Sequence, residues 1–334
     1  MSCRAKLSAM NPRRRRFLHF LAGAAALAAA PGARAQSWPT RPVRVIVPFQ
    51  PGGSTDIFAR LAAQKLTERF GKQFYIENIA GATGNVGTAQ AARAAPDGHT
   101  LLIAFSSYVV NPTLFAKLPF DPDKDLAPVT LAVSAANVVS VNPSLPARSL
   151  KELVALIKSN PGKYSYASGG VGTQAHLLGE MLRLSLALDL VHVPFNGAAP
   201  AIASAVAGHT PIAWSTVASA AQALEAGQLR ALAVTSKTRS QLLSDTPTTA
   251  EAGYPQIEGD SWVGLLAPAG TPNDIIGALR REIVAILALP DVKERLPALG
   301  FEAVGSTPEE FAHRIKVETE IWGKVIRAAN IKPE

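Results

Sequence analysis

Beyond residue 36 this sequence contains no cysteine; the only one in the chain is Cys3. Residues 36–334 can therefore form no disulfide and no thiolate metal site, which suits an oxidising compartment such as a bacterial periplasm. A surplus of charge is missing there too. The formal net charge of +8 comes almost wholly from the first 35 residues, which hold seven of the 33 Lys and Arg and no acid, leaving 26 bases against 25 acids. Without a basic surplus the folded part carries no electrostatic footprint for nucleic acid. No run after Gln36 is long and apolar enough to cross a membrane. Nucleotide and hydrolase motifs are lacking as well. Gly81-x-x-Gly84-x-x-Gly87 is not G-x-G-x-x-G, no G-x-x-x-x-G-K-[ST] occurs, and Ser168 sits in A-S-G-G rather than G-x-S-x-G. His99, His209 and His313 have no partner at metal-ligand spacing. The expectation is a protein with no metal, and not an enzyme.

What is present begins with an export signal. Arg13–Arg16 lead into Phe17-Leu18 and an alanine-rich run to near Ala30, and Ala33-Arg34-Ala35 is a small-x-small site before Gln36. The apolar run is about 14 residues, short of the roughly 20 a spanning helix needs. Residues 1–35 are thus expected to be an export signal peptide, and the protein to work in the periplasm. Arg14-Arg15-Arg16-Phe17-Leu18 also fits a twin-arginine pattern, which implies export in the folded state.

The remaining 300 or so residues exceed one ordinary core and imply two lobes. Strand, glycine-rich loop and helix follow one another repeatedly. The β-branched run Val43–Phe49 reads as a strand, and Ser54, Thr55 or Asp56 can cap the helix after it. Ile57, Leu61, Leu66 and Phe70 supply that helix with an apolar face, and Gly71 ends it. Phe74–Glu77, Thr100–Phe105, Tyr164–Ala167, Leu190–Pro194, Pro211–Ser215 and Leu229–Thr235 read as strands. Leu150–Lys158, Thr173–Leu186, Ala198–Ala207, Ile275–Leu287 and Phe311–Ile326 read as helices. Such alternation predicts an α/β fold with parallel sheets. Pro128–Val141 and Trp262–Pro268 are extended runs that read as passages between lobes. They divide the chain into lobe I (36–131 plus 264–334) and an inserted lobe II (132–263), with the ligand cleft between them.

Five segments leave strand ends: Gln50–Asp56, Gly81–Gly87, Ser106–Asn111, Ser168–His176 and Pro194–Ala199. They are rich in glycine and hydroxyls and contain no lysine or arginine. Helix starts present free N–H groups and partial positive charge, and glycine lets a ligand approach them, so such loops bind anions without cations. Three or four hydrogen bonds to a carboxylate, at roughly 1.5–3 kcal/mol each, approach the 8 kcal/mol or so of a micromolar complex. Gly84 and Asn85 open one helix. His176, one turn into another, reads as a neutral donor or as a histidine satisfied by local backbone. His192, alternating with apolar neighbours, reads as structural. Asp56 reads as a capping carboxylate or a ligand-side acceptor, and Phe49 and Phe195 as cleft walls or core.

At these residues the chain resembles the periplasmic substrate-binding proteins of tripartite tricarboxylate transporters, the Bug family. Trp38 to Asp56 follows that family's W-P-x-[RK]-P-[VI]-x-[VI]-[VI]-x-P-F-x-P-G-G-x-x-D. Glu77-Asn78 with Gly81, Gly84, Asn85 and Gly87 resembles E-N-x-x-G-A-G-G-N-x-G, and Pro96–Leu102 resembles P-D-G-Y-T-L-L. Ser168-Gly169 through His176-Leu177 and Glu180 resembles S-S-G-x-G-[ST]-x-x-H-L-x-x-E. Val193–Gly197 with Ala199-Pro200-Ala201 resembles V-P-Y-K-G-x-x-P-A. The resemblance implies a two-lobed, flytrap-like periplasmic-binding-protein fold of type II character, with no cofactor. It also implies capture of a small organic anion, such as a tricarboxylate, dicarboxylate, acidic amino acid or aromatic acid, for the membrane permease subunits of a tripartite transporter. A monomer is expected. By resemblance the binding role falls on Gly52, Gly53, Ser106, Ser107, Ser168, Gly169, Gly172, Thr173, Asn196 and Gly197. Asn196 departs from the family's lysine and Thr83 from its glycine, and Trp214 stands where a small or acidic residue is commoner. A sensory receptor presenting ligand to a signalling protein, and a periplasmic enzyme on the same scaffold, are the rival readings.

Overall fold

Four of the five residues of Val43–Val47 (β1) are β-branched, and they form the first strand. The computed structural model describes residues 38–52 and 54–333, so the signal region and Gly53 lie outside the described residues. After β1 come α1 (Ser54–Phe70), β2 (Phe74–Asn78), a 3-10 turn (Ala82–Gly84), α2 (Asn85–Ala92), β3 (Thr100–Phe105), α3 (Ser107–Leu114) and β4 (Leu126–Val141). The middle runs α4 (Leu150–Lys158), β5 (Tyr164–Ser168), α5 (Gln174–Ser185), β6 (Leu190–Pro194), α6 (Ala198–Val206), β7 (Ile212–Thr216), α7 (Val217–Glu225) and β8 (Arg230–Val234). The chain closes with β9 (Asp260–Pro268), α8 (Asn273–Leu287), α9 (Pro290–Ala298), β10 (Glu302–Ala303) and α10 (Pro308–Ala328).

The strands pair in the order β2-β1-β3-β9-β4-β7-β5-β6, with β8 and β10 also on β4. β1 pairs parallel with β2 and β3, and β5 parallel with β6 and β7. The remainder corrects the all-parallel expectation: β9 runs antiparallel to β3 and β4, and β4 antiparallel to β7, β8 and β10. The two extended runs read as passages are β4 and β9 themselves. They carry the chain out and back beside each other, and neighbours that run in opposite directions pair antiparallel. β4 changes partners along its length. Leu126–Ala136 lie on β9, and Asn137–Val141 lie on β7.

One core cluster runs from Ile46 and Leu102 through Leu131 to Tyr166, Leu178, Trp214, Trp262, Phe311 and Trp322. Trp214 is fully buried in it. The Trp262 and Phe311 rings meet edge to face at 5.2 Å, and Trp262 Nε1 donates to Glu318 Oε2 at 2.8 Å. On α1 Leu61 and Leu66 of the expected face are buried, and Phe58 takes the place of Ile57. Phe58, Leu61, Ala62 and Leu66 pack inward, while Ile57 is 36% exposed. Where β9 begins, a groove of about 480 Å³ is lined by Glu258, Asp260, Glu302, Arg314 and Glu318. Asp260 Oδ1 is buried there without a hydrogen-bond partner. Burial pushes its carboxyl up to about 7; Arg314 opposes that shift, and Glu302, Glu318 and Glu258 add to it.

Candidate functional site

Helices α1, α2, α3, α5 and α6 each begin at one of the five cation-free segments. Contacts join these segments in series. The Phe49 and Phe105 rings meet at 5.8 Å, linking the first segment to the end of β3. A Cβ on Gly84 would stand 3.4 Å from Phe49 Cζ, so the second segment rests on the first. Asn111 of α3 donates to Thr83 O at 3.0 Å and to Asn85 Oδ1 at 2.8 Å, tying the third segment to the second. A Cβ on Gly172 would stand 2.8 Å from Leu114 Cδ2, so the fourth segment leans on α3. Phe195 N and Gly197 N donate to Ser168 O and Gly169 O, closing the fifth segment onto the fourth. Phe195 is half-buried in this junction and Asn196 is exposed.

The first segment is shaped from behind by Asp56. This carboxylate is 2% exposed, takes Gly52 N–H and Arg60 Nε on Oδ2, and takes Asn78 Nδ2 on Oδ1. Burial works against its ionisation, but the bonds from Arg60, Gly52 and Asn78 outweigh it and hold the carboxyl below its ordinary value. Both oxygens are engaged within the protein. Gly52 itself has φ 90°, and a Cβ there would meet nothing within 4 Å, so its backbone faces open space.

The second segment holds four successive residues with positive φ: Gly81 at 139°, Ala82 at 47°, Thr83 at 53° and Gly84 at 90°. Thr83 is β-branched and is strained in that region. The strain is held by Asn111, whose amide grips the Thr83 carbonyl. Backbone strain of this kind concentrates where a loop must be presented in one shape.

The helix starts differ in how their N–H groups are satisfied. α2, α3 and α6 have no side-chain cap, and their N-cap positions are Gly84, Ser106 and Gly197. Elsewhere α4, α7 and α10 are capped by Ser149, Thr216 and Thr307, while α8 and α9 have no side-chain cap. Ser106 is 1% exposed, and its Oγ has no partner; Ser107 beside it is half-buried. Buried hydroxyls without partners are rare, because each forfeits the hydrogen bond it made to water.

In the fourth segment Thr173 caps α5 by accepting from His176 N at 3.3 Å, and donates to Gly170 O at 2.8 Å. His176 is satisfied by local backbone, the second of its two expected readings: Nδ1 accepts Gly172 N–H at 3.1 Å. Ser168 Oγ lies 2.7 Å from His192 Nε2. Two residues not singled out from sequence stand out here. The Gln174 carboxamide is 3% exposed, and neither its oxygen nor its nitrogen has a partner. Asn111 is the strut between segments, with Oδ1 left over. Gln174 had a signal, being a polar residue straight after a cap; Asn111 had only its place four residues past the Ser pair. Among the described residues no group of three or more His, Cys, Asp and Glu is placed to hold a metal.

The arrangement offers hydroxyl, carboxamide and backbone N–H groups and no cationic side chain. Comparison with known proteins matches residues 58–331 to the model for the tripartite tricarboxylate transporter family receptor. The chain belongs to this receptor family. Its members are solute-binding proteins rather than enzymes, and the periplasmic-binding-protein fold follows with the family. Among the family's proteins, BugT of Bordetella pertussis is 36% identical over 300 residues, 89% of this chain and 92% of BugT. The periplasmic binding protein BugD is 32% identical with a TM-score of 0.74, covering 89% of this chain and all of BugD. The R. palustris protein Rpa4515, solved with adipate, is 33% identical with a TM-score of 0.78, over 89% of this chain and all of that one. MatC of Rhodopseudomonas palustris, solved with bound malate, is 32% identical with a TM-score of 0.74, over 86% of this chain and all of MatC.

Proposed function

We propose that this receptor captures a small organic carboxylate at the five-segment face and delivers it to the permease subunits of a tripartite transporter. The observation that carries the reading is the series of adjoining helix starts that lacks any Lys or Arg yet holds a partnerless buried Ser106 hydroxyl and Gln174 carboxamide. Neutral donors at helix starts suit an anion that arrives with its own charge. Gly52, Gly53, Gly84, Asn85, Ser106, Ser107, Gln174 and Asn196 supply the contacts. Phe49 and Phe195 wall the site, and Asp56, Ser168, Gly169, Gly172, Thr173, His176 and Gly197 hold its loops in shape. Adipate and malate, found with two relatives, are both dicarboxylates, so that class comes first.

In this reading the ligand lies between lobe I (36–131 plus 264–334) and lobe II (132–263). The lobes close over it, a population shift driven by contacts made only in the shut state. The protein works as a periplasmic monomer after loss of residues 1–35. A thermal-shift screen of mono-, di- and tricarboxylates tests the ligand class. An acid at 100 times its dissociation constant adds about 2.7 kcal/mol to stability. A panel in which no carboxylate raises Tm, while a neutral or cationic solute does, ends this reading.

A further inference from the structure

Two imidazoles lie under the loop that joins β5 to α5. The His176 and His192 rings stack 3.7 Å apart and 9° from parallel. They come from different elements, α5 and β6. Each ring holds a different end of the loop: His192 Nε2 meets Ser168 Oγ at 2.7 Å, and His176 Nδ1 accepts Gly172 N–H at 3.1 Å. Between those grips the loop is also tied by Gly197 N to Gly169 O at 3.1 Å and by Thr173 Oγ1 to Gly170 O at 2.8 Å, so the imidazoles act on its two ends. Gly170 has φ 131° and Gly172 φ 76°, and Gly170 N reaches Ser168 Oγ at only 3.3 Å. The same loop sets Thr173 and Gln174 at the start of α5.

We infer that the stacked His176–His192 pair is the positioning device for the ligand loop Ser168–Thr173, and that it works only while both rings are neutral. The chemistry requires this. Nδ1 of His176 can accept Gly172 N–H only without a proton of its own, which puts the ring hydrogen on Nε2. Two protonated rings at stacking distance would repel each other. The surrounding groups agree. Tyr166 lies against His192, with ring centres 4.9 Å apart, and its hydroxyl donates to Glu180 Oε1 at 2.8 Å; Arg183 in turn pairs with Glu180. Burial, then Arg183, lowers His176 to about 4. Burial, then His176, lowers His192 to about 3, with Glu180 pulling the other way. The inference rests on the carboxylate-site reading for the loop's purpose, but the brace itself is testable without ligand.

The test uses the full mature chain. Long-range proton–nitrogen spectra of the free protein should show His176 with its hydrogen on Nε2. The Gly172 amide should move at the same pH as His176 titrates. His192→Phe keeps a flat ring but removes the ring nitrogen that meets Ser168 Oγ. It should shift the amides of residues 168–173, speed their exchange and leave Tm close to wild type. With adipate as probe, the same variant should bind about fivefold more weakly, the equivalent of one net hydrogen bond, and His192→Gln should recover part of that loss. Loop amides unchanged in His192→Phe, or a Gly172 amide blind to His176, overturn the brace. If wild-type protein binds no member of the carboxylate panel, the site reading falls, and the loop spectra still decide the brace.

Discussion

The loop face and the crossing of β4 and β9 treat charge in opposite ways. At the loop face no charged side chain offers itself to a ligand: the one buried carboxylate, Asp56, is fully bonded by Gly52, Asn78 and Arg60. At the crossing, Glu258, Asp260, Glu302 and Glu318 share a groove with Arg314, and Asp260 keeps a partnerless oxygen. Burial works against ionisation at both carboxyls; at Asp56 the bonds from Arg60, Gly52 and Asn78 outweigh it, while at Asp260 burial prevails over Arg314 and pushes the group towards neutrality.

The largest expected effect sits at Asp260. Its folded value, about 7, lies above the ordinary 3.8, so the folded state binds the extra proton between those values. Stability from this group is full at low pH and lost as pH rises through 7. Asp260→Asn should therefore gain stability over wild type at pH 8, by about 4 kcal/mol for a shift of about 3 pKa units at about 1.4 kcal/mol each, and should gain little at pH 4. Urea unfolding at the two pH values reads this. An equal difference at both would show that the carboxyl is not the cause.

Ser106→Ala comes next and separates binding from folding. Losing a partnerless buried hydroxyl should leave the free protein as stable or about 1 kcal/mol more so, while carboxylate binding weakens about tenfold. Calorimetry beside thermal melts measures both, and unaltered affinity would remove Ser106 from the site. Thr83→Gly should stabilise by up to about 1 kcal/mol. It relieves a left-handed β-branched residue that costs about 1–2 kcal/mol, against the entropy glycine adds to the unfolded chain. A destabilised variant would mean that the Thr83 side chain makes contacts worth more than its strain. The smallest effect is expected from Asn196→Lys, which gives the exposed position 196 the charge the loop face lacks. It should favour tricarboxylates over monocarboxylates by a few-fold, within the range of exposed ion pairs. Unchanged selectivity would place residue 196 away from the ligand.

Much of this molecule was legible in its sequence, and the exceptions have causes. Leu150–Lys158 and Leu190–Pro194 carry strong periodicity between clear breakers and were located to the residue. α3 went unread because Pro112 lies inside it and Val109-Val110 suit a strand as well. The start of the α1 face was misjudged because Phe58 and Ile57 are adjacent and either begins an apolar stripe; packing against Phe301 selects Phe58. The antiparallel course of β4 and β9 is a matter of which strands become neighbours, and hydrophobic pattern does not encode that. At the loop face, glycines and helix starts could be read from residue type. Asn111 could not, because its meaning lies in the carbonyl it grips, and Gln174 showed only its place after a cap, not its lack of a partner.

β4 runs sixteen residues without a break and serves two sets of partners. Any rotation of one set against the other must pass through this strand and β9, near Ala136 and Asp260, where the two ladders hand over. Two adjacent extended strands bend readily out of their plane and resist shear within it. In the proposed closure of the two lobes, these paired strands are the hinge, and the ionisable Asp260 sits where they hand over.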